Sequence, residues 1–125
     1  MSANELLYTK SHEWVLFSDD KTAKVGLTDY AQKQLGDLVF VNLPSEGDEA
    51  EAGAAVADVE SVKAVSDVFS PVTGTITAVN EAVLDAPQMI NESPYVTWLF
   101  EVGGITGREE FLTEAQYEEL CQKEG

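Results

Sequence analysis

One lysine stands out as a candidate for covalent chemistry. Lys63 follows Ser61 and Val62 between two β-prone segments, residues 54–59 and 64–69, which places it at or beside the tip of a hairpin. Such a lysine offers a reachable amine on a flexible stem, while the strands hold its base still. Because a lysine in a turn is more often only a solvated side chain, the surrounding sequence has to decide between the two interpretations.

Other kinds of catalytic site find little support among the reactive residues. His12 is the only histidine and Cys121 the only cysteine, so a histidine-based zinc site, a cysteine cluster and an intramolecular disulfide are unsupported. No nucleophile elbow of the G-x-S-x-G type occurs. Cys121 stands at helical spacing from Tyr117 and Leu120, which predicts a packing role. The sequence therefore predicts that the protein is not an enzyme.

The charge balance narrows the range of partners. Lys and Arg total 7 against 23 Asp and Glu, for a formal net charge of −16. Such a surface repels nucleic acids and anionic membranes, and it favours docking to basic protein faces. No apolar run approaches the roughly 18 residues of a transmembrane helix, and the first ten residues lack a signal-peptide pattern. We expect a cytoplasmic protein.

The pattern of apolar and turn residues predicts a mostly β chain. Two strands, residues 14–17 and 22–27, form a hairpin, and a short helix runs from Thr28 or Asp29 to Leu35 and ends at Gly36. The remaining predicted elements are strands at 37–43, 54–59, 64–69, 75–79 and 95–102, a tight turn at 72–75, irregular chain at 80–92, a strand end at 103–104 and a helix at 111–123. Thr113 and Gln116 form a capping-box pattern for that helix.

This pattern suits one domain, residues 1–125, built as a small β-sandwich or barrel with helices at its margins. Neither a linker nor a low-complexity segment divides the chain.

Several blocks of the sequence, in order along the chain, resemble the glycine cleavage H proteins. The segment Glu60-Ser61-Val62-Lys63-Ala64, which continues to Asp67, resembles their lipoylation site. The other similar blocks are residues 8–14, 25–32, 35–37, 39–41 with 43–44, 70–74, 79–80, and 91 with 94–95. The resemblance spans roughly residues 7 to 120, and its specificity lies in the shared order and spacing of the blocks.

The resemblance implies a fold, a cofactor and partners. The fold would be a hammerhead-like barrel-sandwich hybrid of two small antiparallel sheets, with a short internal helix and a C-terminal helix. Lipoate would be attached to Lys63 by a lipoate ligase or lipoyl transferase. The lipoyl arm would then visit a pyridoxal-phosphate-dependent glycine decarboxylase, a tetrahydrofolate-dependent aminomethyltransferase and dihydrolipoyl dehydrogenase. We expect a monomeric carrier that shuttles the aminomethyl group and electrons among them.

The resemblance also suggests a resting cleft for the arm. Ser11 and Glu13 in the N-terminal block, and Asp67 four residues after Lys63, match positions that line this cleft. Because the loaded arm bears a cationic amine, the two carboxylates would hold it. For His12 we favour packing beside Trp14. One departure from the family pattern is the short stretch between Tyr95 and Trp98, where the family usually has a glycine-containing loop.

Four alternatives remain beside this interpretation. Biotinyl domains usually place methionine on both sides of the lysine, where this chain has Val62 and Ala64. Lipoyl domains of 2-oxoacid dehydrogenases are shorter and joined to flexible linkers. An H-like relay that supplies lipoate to other complexes is compatible with the sequence. A small enzyme that uses an acidic residue of the motif segment, Asp58, Glu60 or Asp67, lacks a companion nucleophile, metal set or phosphate loop.

Overall fold

Two antiparallel sheets form the body of the protein in the computed structural model, which describes residues 6–124. The larger sheet has the strand order β1-β2-β3-β9-β8-β5, and the smaller one has the order β4-β6-β7. The strands are β1 (Leu6–Tyr8), β2 (Glu13–Asp19), β3 (Thr22–Leu27), β4 (Leu38–Asn42), β5 (Glu49–Ala50), β6 (Ala55–Ser61), β7 (Val65–Phe69), β8 (Val72–Val79) and β9 (Phe100–Arg108).

Four helices lie around these sheets. They are α1 (Asp29–Leu35), α2 (Ala82–Asp85), α3 (Met89–Glu92) and the C-terminal α4 (Glu114–Glu124). The predicted class, mostly β with two antiparallel sheets, a short internal helix and a C-terminal helix, is confirmed. None of the helices within residues 6–124 is long and apolar enough to cross a bilayer.

The core lies between the two sheets and is dominated by β-branched side chains. Val59 of β6 and Val41 of β4 lie opposite each other on the inner face of the smaller sheet, and both are buried. They belong to the same cluster as Val25 and Phe100 of the larger sheet. Each fully buried aliphatic side chain of this kind stabilises the fold by about 1.5–3 kcal/mol.

Local sequence signals set the bounds of α1. The Thr28 side chain accepts a hydrogen bond from the Ala31 amide at 3.2 Å, which satisfies one of the free donors at the start of the helix. Gly36 ends the helix with a φ of 83°, a conformation that glycine adopts without a Cβ clash. Both ends agree with the prediction.

Two predicted features near the C-terminal half are wrong. Residues 72–75 are not a tight turn but the start of β8, and the strand placed at 95–102 is β9, which begins at Phe100 and continues through Gly103 and Gly104 to Arg108. In this region the glycines lie where β8 and β9 are in close contact. A Cβ atom on Gly74 would lie 2.6 Å from the Gly103 carbonyl oxygen, so the close approach of β8 and β9 at this point requires a residue without a side chain.

Two other segments differ from the prediction in detail. Residues 80–92, predicted to be irregular, contain the one-turn helices α2 and α3. The C-terminal helix begins at Glu114, because the predicted capping box closes at Thr113. The Thr113 amide donates to Gln116 Oε1 at 3.0 Å, and the Gln116 amide donates to Thr113 Oγ1 at 3.2 Å.

The C-terminal helix packs on the first strands through aromatic residues. Tyr117 stacks on Tyr8 with ring centroids 4.8 Å apart, in a cluster that also contains Trp14. Cys121 is partly buried against this cluster, which confirms its predicted packing role.

Candidate functional site

Lys63 lies at the tip of the β6–β7 hairpin, as predicted. The Ser61 amide donates to the Ala64 carbonyl oxygen at 2.8 Å and so closes the turn. The Ser61 hydroxyl oxygen accepts hydrogen bonds from the amides of Lys63 and Ala64, at 3.2 and 3.0 Å. The Ser61 side chain therefore supplies hydrogen-bond partners to turn amides that strand pairing does not satisfy, and these bonds fix the shape of the turn.

The hairpin tip is also tied to the loop between α1 and β4. The Val62 amide donates to the Asp37 carbonyl oxygen at 3.0 Å. A Cβ atom on Gly36 would lie 3.4 Å from Cε of Lys63, so the lysine stem passes close to the end of α1. The orientation of Lys63 thus depends on a part of the chain outside its own hairpin.

Asn91 of α3 holds that loop in place. Its Oδ1 accepts from the Leu38 amide at 2.9 Å, and its Nδ2 donates to the Gly36 carbonyl oxygen at 3.0 Å and to Gln32 Oε1 at 2.9 Å. Asn91 lies in one of the blocks that resemble the family, but no local pattern predicts this role, because its partners lie 53 to 59 residues away.

The Lys63 side chain suits a covalent attachment. The residue is exposed, and the ion pairs found within residues 6–124 do not include its amine. Only the last part of the stem approaches another segment, at Gly36. An acyl group on Nζ would therefore extend into solvent or along the surface without first breaking an ion pair of the described chain.

Glu13 is the most unusual carboxyl group of the site, because it is almost completely buried at the start of β2. Its Oε1 accepts hydrogen bonds from the hydroxyls of Thr9 and Ser11, at 2.7 and 2.5 Å, and its Oε2 accepts a long one from the Phe69 amide, at 3.4 Å. Burial raises the pKa of Glu13 to about 7, although these three hydrogen bonds oppose the shift.

Glu13 lies in a cleft of about 390 Å³ between the 9–13 loop and the end of β7, which we call the Glu13 cleft. Its lining residues are Thr9, Lys10, Ser11, Glu13, Phe69, Ser70, Pro71, Glu109 and Glu110. Glu109 contributes a further small rise to the pKa of Glu13 through like-charge repulsion.

Asp67 lines a neighbouring cleft of about 380 Å³, the Asp67 cleft, which lies between α1 and β7. Its lining residues are Ser11, His12, Leu27, Tyr30, Ala31, Gln34, Leu35, Ser66, Asp67 and Glu124. Ser11 lines both clefts. Of the three residues predicted to form a resting cleft, Ser11 and Glu13 are therefore in direct contact, whereas the exposed Asp67 lies on the adjoining cleft.

Two residues of these clefts carry roles that the sequence did not reveal. Thr9 binds Glu13 through its hydroxyl and also accepts the Glu13 amide at 3.0 Å, which fixes the loop around the carboxyl group. His12 packs on Tyr30 at a centroid distance of 4.7 Å, where we expected Trp14 as its neighbour, and its Nδ1 lies 2.7 Å from the Tyr117 hydroxyl. The spacing Thr9-x-Ser11-x-Glu13, with hydroxyls two and four residues before the acid, was the available signal.

The arrangement provides an exposed amine and two clefts with carboxyl groups. Within residues 6–124, no group of three or more His, Cys, Asp or Glu side chains could hold a metal ion.

Comparison with known proteins places this geometry in a family. A model of the glycine cleavage H-protein family matches residues 6–124. The chain is 60% identical over 119 residues to a glycine cleavage system H protein from Lachnoclostridium phytofermentans, covering 95% of this chain and 94% of that protein. It is 49% identical over 122 residues to another from Syntrophomonas wolfei, covering 96% and 93% of the two chains.

The fold agrees with this family as well. The crystal structure of a glycine cleavage system H protein from Mycobacterium marinum superposes with a TM-score of 0.86 and 37% sequence identity, covering 100% of this chain and 99% of that one. The match along residues 6–124, the near full-length relatives and the shared fold lead to one conclusion: the chain belongs to the glycine cleavage H-protein family.

Proposed function

We propose that the protein is a non-enzymatic carrier whose Lys63 bears a lipoyl group in an amide bond. The observation that carries this proposal is the exposed Lys63 amine at a hairpin tip that Ser61 and the Asp37 carbonyl oxygen hold in one shape. Family membership supports the choice of lipoate among the acyl groups that a lysine could carry. A flexible arm on a rigid base gives its end a high effective concentration at each docked partner.

The carrier serves the glycine cleavage system. When bound, the lipoyl group supplies the sulfur chemistry that accepts the aminomethyl group from glycine decarboxylase, passes it to the aminomethyltransferase and delivers electrons to dihydrolipoyl dehydrogenase. The protein itself supplies the attachment point, the docking surface and shelter for the arm. Its net charge of −16 favours rapid, weak association with basic faces of these enzymes.

The two clefts provide the shelter. From the hairpin tip, the Lys63 stem passes Gly36 at the end of α1, and the Asp67 cleft lies alongside that helix. Ser11 joins this cleft to the Glu13 cleft. An arm that follows this course brings a cationic amine at its end past Asp67 toward Glu13. A cation there favours the ionised form of Glu13 and so offsets the cost of its burial.

A test of the carrier function compares the lipoylated protein with the Lys63→Arg protein. With the decarboxylase and pyridoxal phosphate, the lipoylated protein is expected to support exchange of bicarbonate into the carboxyl group of glycine. The Lys63→Arg protein, treated in the same way, is expected to support none above the rate without carrier. Equal exchange by both proteins would contradict the proposal.

The same preparation separates the carrier from an H-like relay that only supplies lipoate to other complexes. A relay would be lipoylated on Lys63 and would hand lipoate on, but it would not support the glycine–bicarbonate exchange. Exchange that depends on the lipoylated Lys63 therefore assigns the protein to glycine cleavage.

A further inference from the structure

All four tyrosines of the chain line one open cleft. Tyr8, Tyr30, Tyr95 and Tyr117 surround a cavity of about 780 Å³ between β1, α1, α4 and the loop before β9, which we call the tyrosine cleft. Of the four, only Tyr30 also borders the Asp67 cleft. A concentration of tyrosine at one place indicates a binding surface, because each ring offers a large apolar area with a polar end.

The rings form a corner in the wall of the tyrosine cleft. Tyr8 stacks on Tyr117 with centroids 4.8 Å apart, and Tyr95 stands at 85° to Tyr8 at a centroid distance of 6.4 Å. The Tyr117 hydroxyl already forms hydrogen bonds with Thr28 and His12. A molecule in the cleft therefore meets mainly ring surfaces, and the faces of aromatic rings attract cations.

Negative charge is in excess at this cleft. Asp29 and Lys33 line it as an ion pair, with a carboxylate oxygen 3.0 Å from the lysine amine. Glu114 and Glu118, four residues apart on α4, also line it, and the ion pairs found within residues 6–124 include neither. Burial raises the pKa of Tyr8, and the charges of these two glutamates raise it further. Like charges at this spacing repel each other along a helix, so a bound cation would stabilise them.

The combination of rings and carboxylates suits a guanidinium group better than other cations. A guanidinium is flat and stacks on an aromatic face, and its fork of N–H donors binds a carboxylate through two parallel hydrogen bonds. An ammonium group is more strongly hydrated and lacks this geometry. We propose that the tyrosine cleft binds an arginine side chain on an exposed segment of a partner protein.

Two observations favour a partner protein over free arginine or a second copy of this chain. Val96, which follows Tyr95, is 79% exposed, so a peptide segment in the cleft would also cover an apolar side chain beside it. The only arginine of this chain is Arg108, and its guanidinium lies over the rings of Phe17 and Phe111, at 4.8 and 5.9 Å from their centroids. The arginine of a second copy is therefore already engaged.

The tyrosines provide the probe for a test. Because all four line the cleft, NMR signals from protein labelled only at the tyrosine rings report on this surface. The full-length protein is titrated with acetyl-Leu-Arg-Leu-amide and with acetyl-Leu-Lys-Leu-amide at physiological salt. We expect saturable shifts of the ring signals, and about threefold tighter binding of the arginine peptide than of the lysine peptide.

Variants of the cleft separate the contribution of the carboxylates from that of the rings. Glu114→Gln/Glu118→Gln should weaken binding of the arginine peptide about fivefold. Glu49→Gln/Glu51→Gln makes the same charge change at exposed residues outside the cleft and should leave binding unchanged. Tyr95→Leu should weaken binding about two- to fivefold, whereas Tyr95→Phe, which keeps the ring, should not. Circular dichroism checks that each variant is folded.

Several outcomes would overturn the inference. Equal binding of the two peptides, or equal losses in the two glutamate variants, would show attraction to the overall negative charge and not to this cleft. N-acetylarginine amide that binds as tightly as the arginine peptide would assign the cleft to a small molecule. Ring signals that do not shift would show that the cleft binds no arginine. The carrier function is tested separately at Lys63, so none of these results would affect it.

Discussion

The Val62 amide donates a hydrogen bond to the Asp37 carbonyl oxygen at 3.0 Å and so joins the hairpin tip to the end of α1. Two-stranded hairpins are marginally stable by themselves, and their tips are the first parts to open. This contact gives the Lys63 tip a support that does not depend on the hairpin strands. A modifying enzyme would therefore meet a lysine of defined direction, and not one on a frayed turn.

The support of the hairpin tip can be tested at Asn91, whose side chain forms hydrogen bonds with Gly36 and Leu38, the two neighbours of Asp37. Asn91→Ala leaves the Leu38 amide and the Gly36 carbonyl oxygen without these partners. We expect a loss of about 1–3 kcal/mol in the free energy of unfolding, the cost of unsatisfied buried polar groups. Hydrogen exchange of the Val62 amide should also become faster relative to amides in β2.

The control for this experiment is Asn42→Ala on β4. Asn42 is exposed and makes a long hydrogen bond of 3.3 Å to Asp58. Its removal is expected to change the free energy of unfolding by no more than about 0.5 kcal/mol. If Asn91→Ala leaves the exchange of the Val62 amide unchanged, Asn91 does not position the hairpin tip.

A second prediction concerns the site of modification. In the parent protein, peptide mass mapping should find one lipoyl amide, on Lys63, because this lysine stands in the segment that resembles a lipoylation site. Lys63→Arg keeps the positive charge but offers no amine that can be acylated under these conditions. Lys21→Arg, in the exposed turn between β2 and β3, is the matched control and should be modified normally. A lipoyl group found on the Lys63→Arg protein would refute the assignment.

A third prediction tests whether the position of the lysine at the tip matters. The exchange Val62→Lys/Lys63→Val keeps the composition but moves the amine by one residue, to a position whose own amide is bound to Asp37. Because side chains of neighbouring residues point in different directions, the shifted amine should not be modified. Circular dichroism and thermal unfolding should match the parent. Normal lipoylation at position 62 in a native fold would show that tip geometry is unimportant.

The local signals in the sequence were sufficient for the hairpins, for α1 and for the position of Lys63. Thr28 and Gly36 bound the helix through contacts within a few residues, and such contacts are legible in the sequence. The strands around Gly74 and Gly103 were mispredicted because glycines in a sequence usually indicate a turn. Here these glycines instead allow close contact between two strands, which is a tertiary requirement. The family resemblance, and not the pattern, supplied the two-sheet arrangement.

For the two clefts as well, some features could be predicted from the sequence and others could not. The hydroxyl spacing before Glu13 suggested a polar site, but the hydrogen bond from the Phe69 amide and the like-charge repulsion from Glu109 come from residues distant in the sequence. Asp67 and Glu13 line adjoining clefts, and the cleft of Asp67 is formed by residues of α1 and β7, an arrangement that no local pattern encodes.

A fourth prediction follows from the burial of Glu13. Its pKa is raised from 4.5 to about 7 in the folded protein, so the folded state binds this proton more tightly than the unfolded state does. Stability from this group is therefore fully present below pH 4.5 and is lost as the pH rises toward 7 and above. Between pH 5 and pH 8 the loss amounts to about 2.5 kcal/mol.

The variant Glu13→Gln measures that loss, because the amide does not titrate. The free energy of unfolding, from urea titrations at several pH values, should fall less steeply between pH 5 and pH 8 than in the parent. Other carboxylates contribute to both proteins equally, so the difference between the two slopes isolates Glu13. Parallel curves for parent and variant would show that Glu13 keeps its ordinary pKa.

The last prediction concerns protection of the loaded arm. An amine at the end of the arm is cationic at neutral pH, and we expect the carboxylates of Glu13 and Asp67 to attract it. Exclusion of water should also slow the decomposition that releases ammonia. An exposed pair such as the one with Asp67 is worth only about 0.2–1 kcal/mol, so a partner enzyme can still withdraw the arm. The contribution of the buried Glu13 should be the larger of the two, because less solvent screens it.

The double variant Glu13→Ala/Asp67→Ala should therefore be lipoylated like the parent but lose its cargo sooner. The measurement is ammonia release from the isolated, loaded protein with no partner enzyme present. We expect Asp67→Ala alone to accelerate release by no more than about fivefold, and Glu13→Ala to have the greater effect. Asp20→Ala/Glu51→Ala, which removes two exposed carboxylates outside both clefts, controls for the change in net charge. If the double variant and this control release ammonia at the parent's rate, Glu13 and Asp67 do not guard the arm, and the clefts have another purpose.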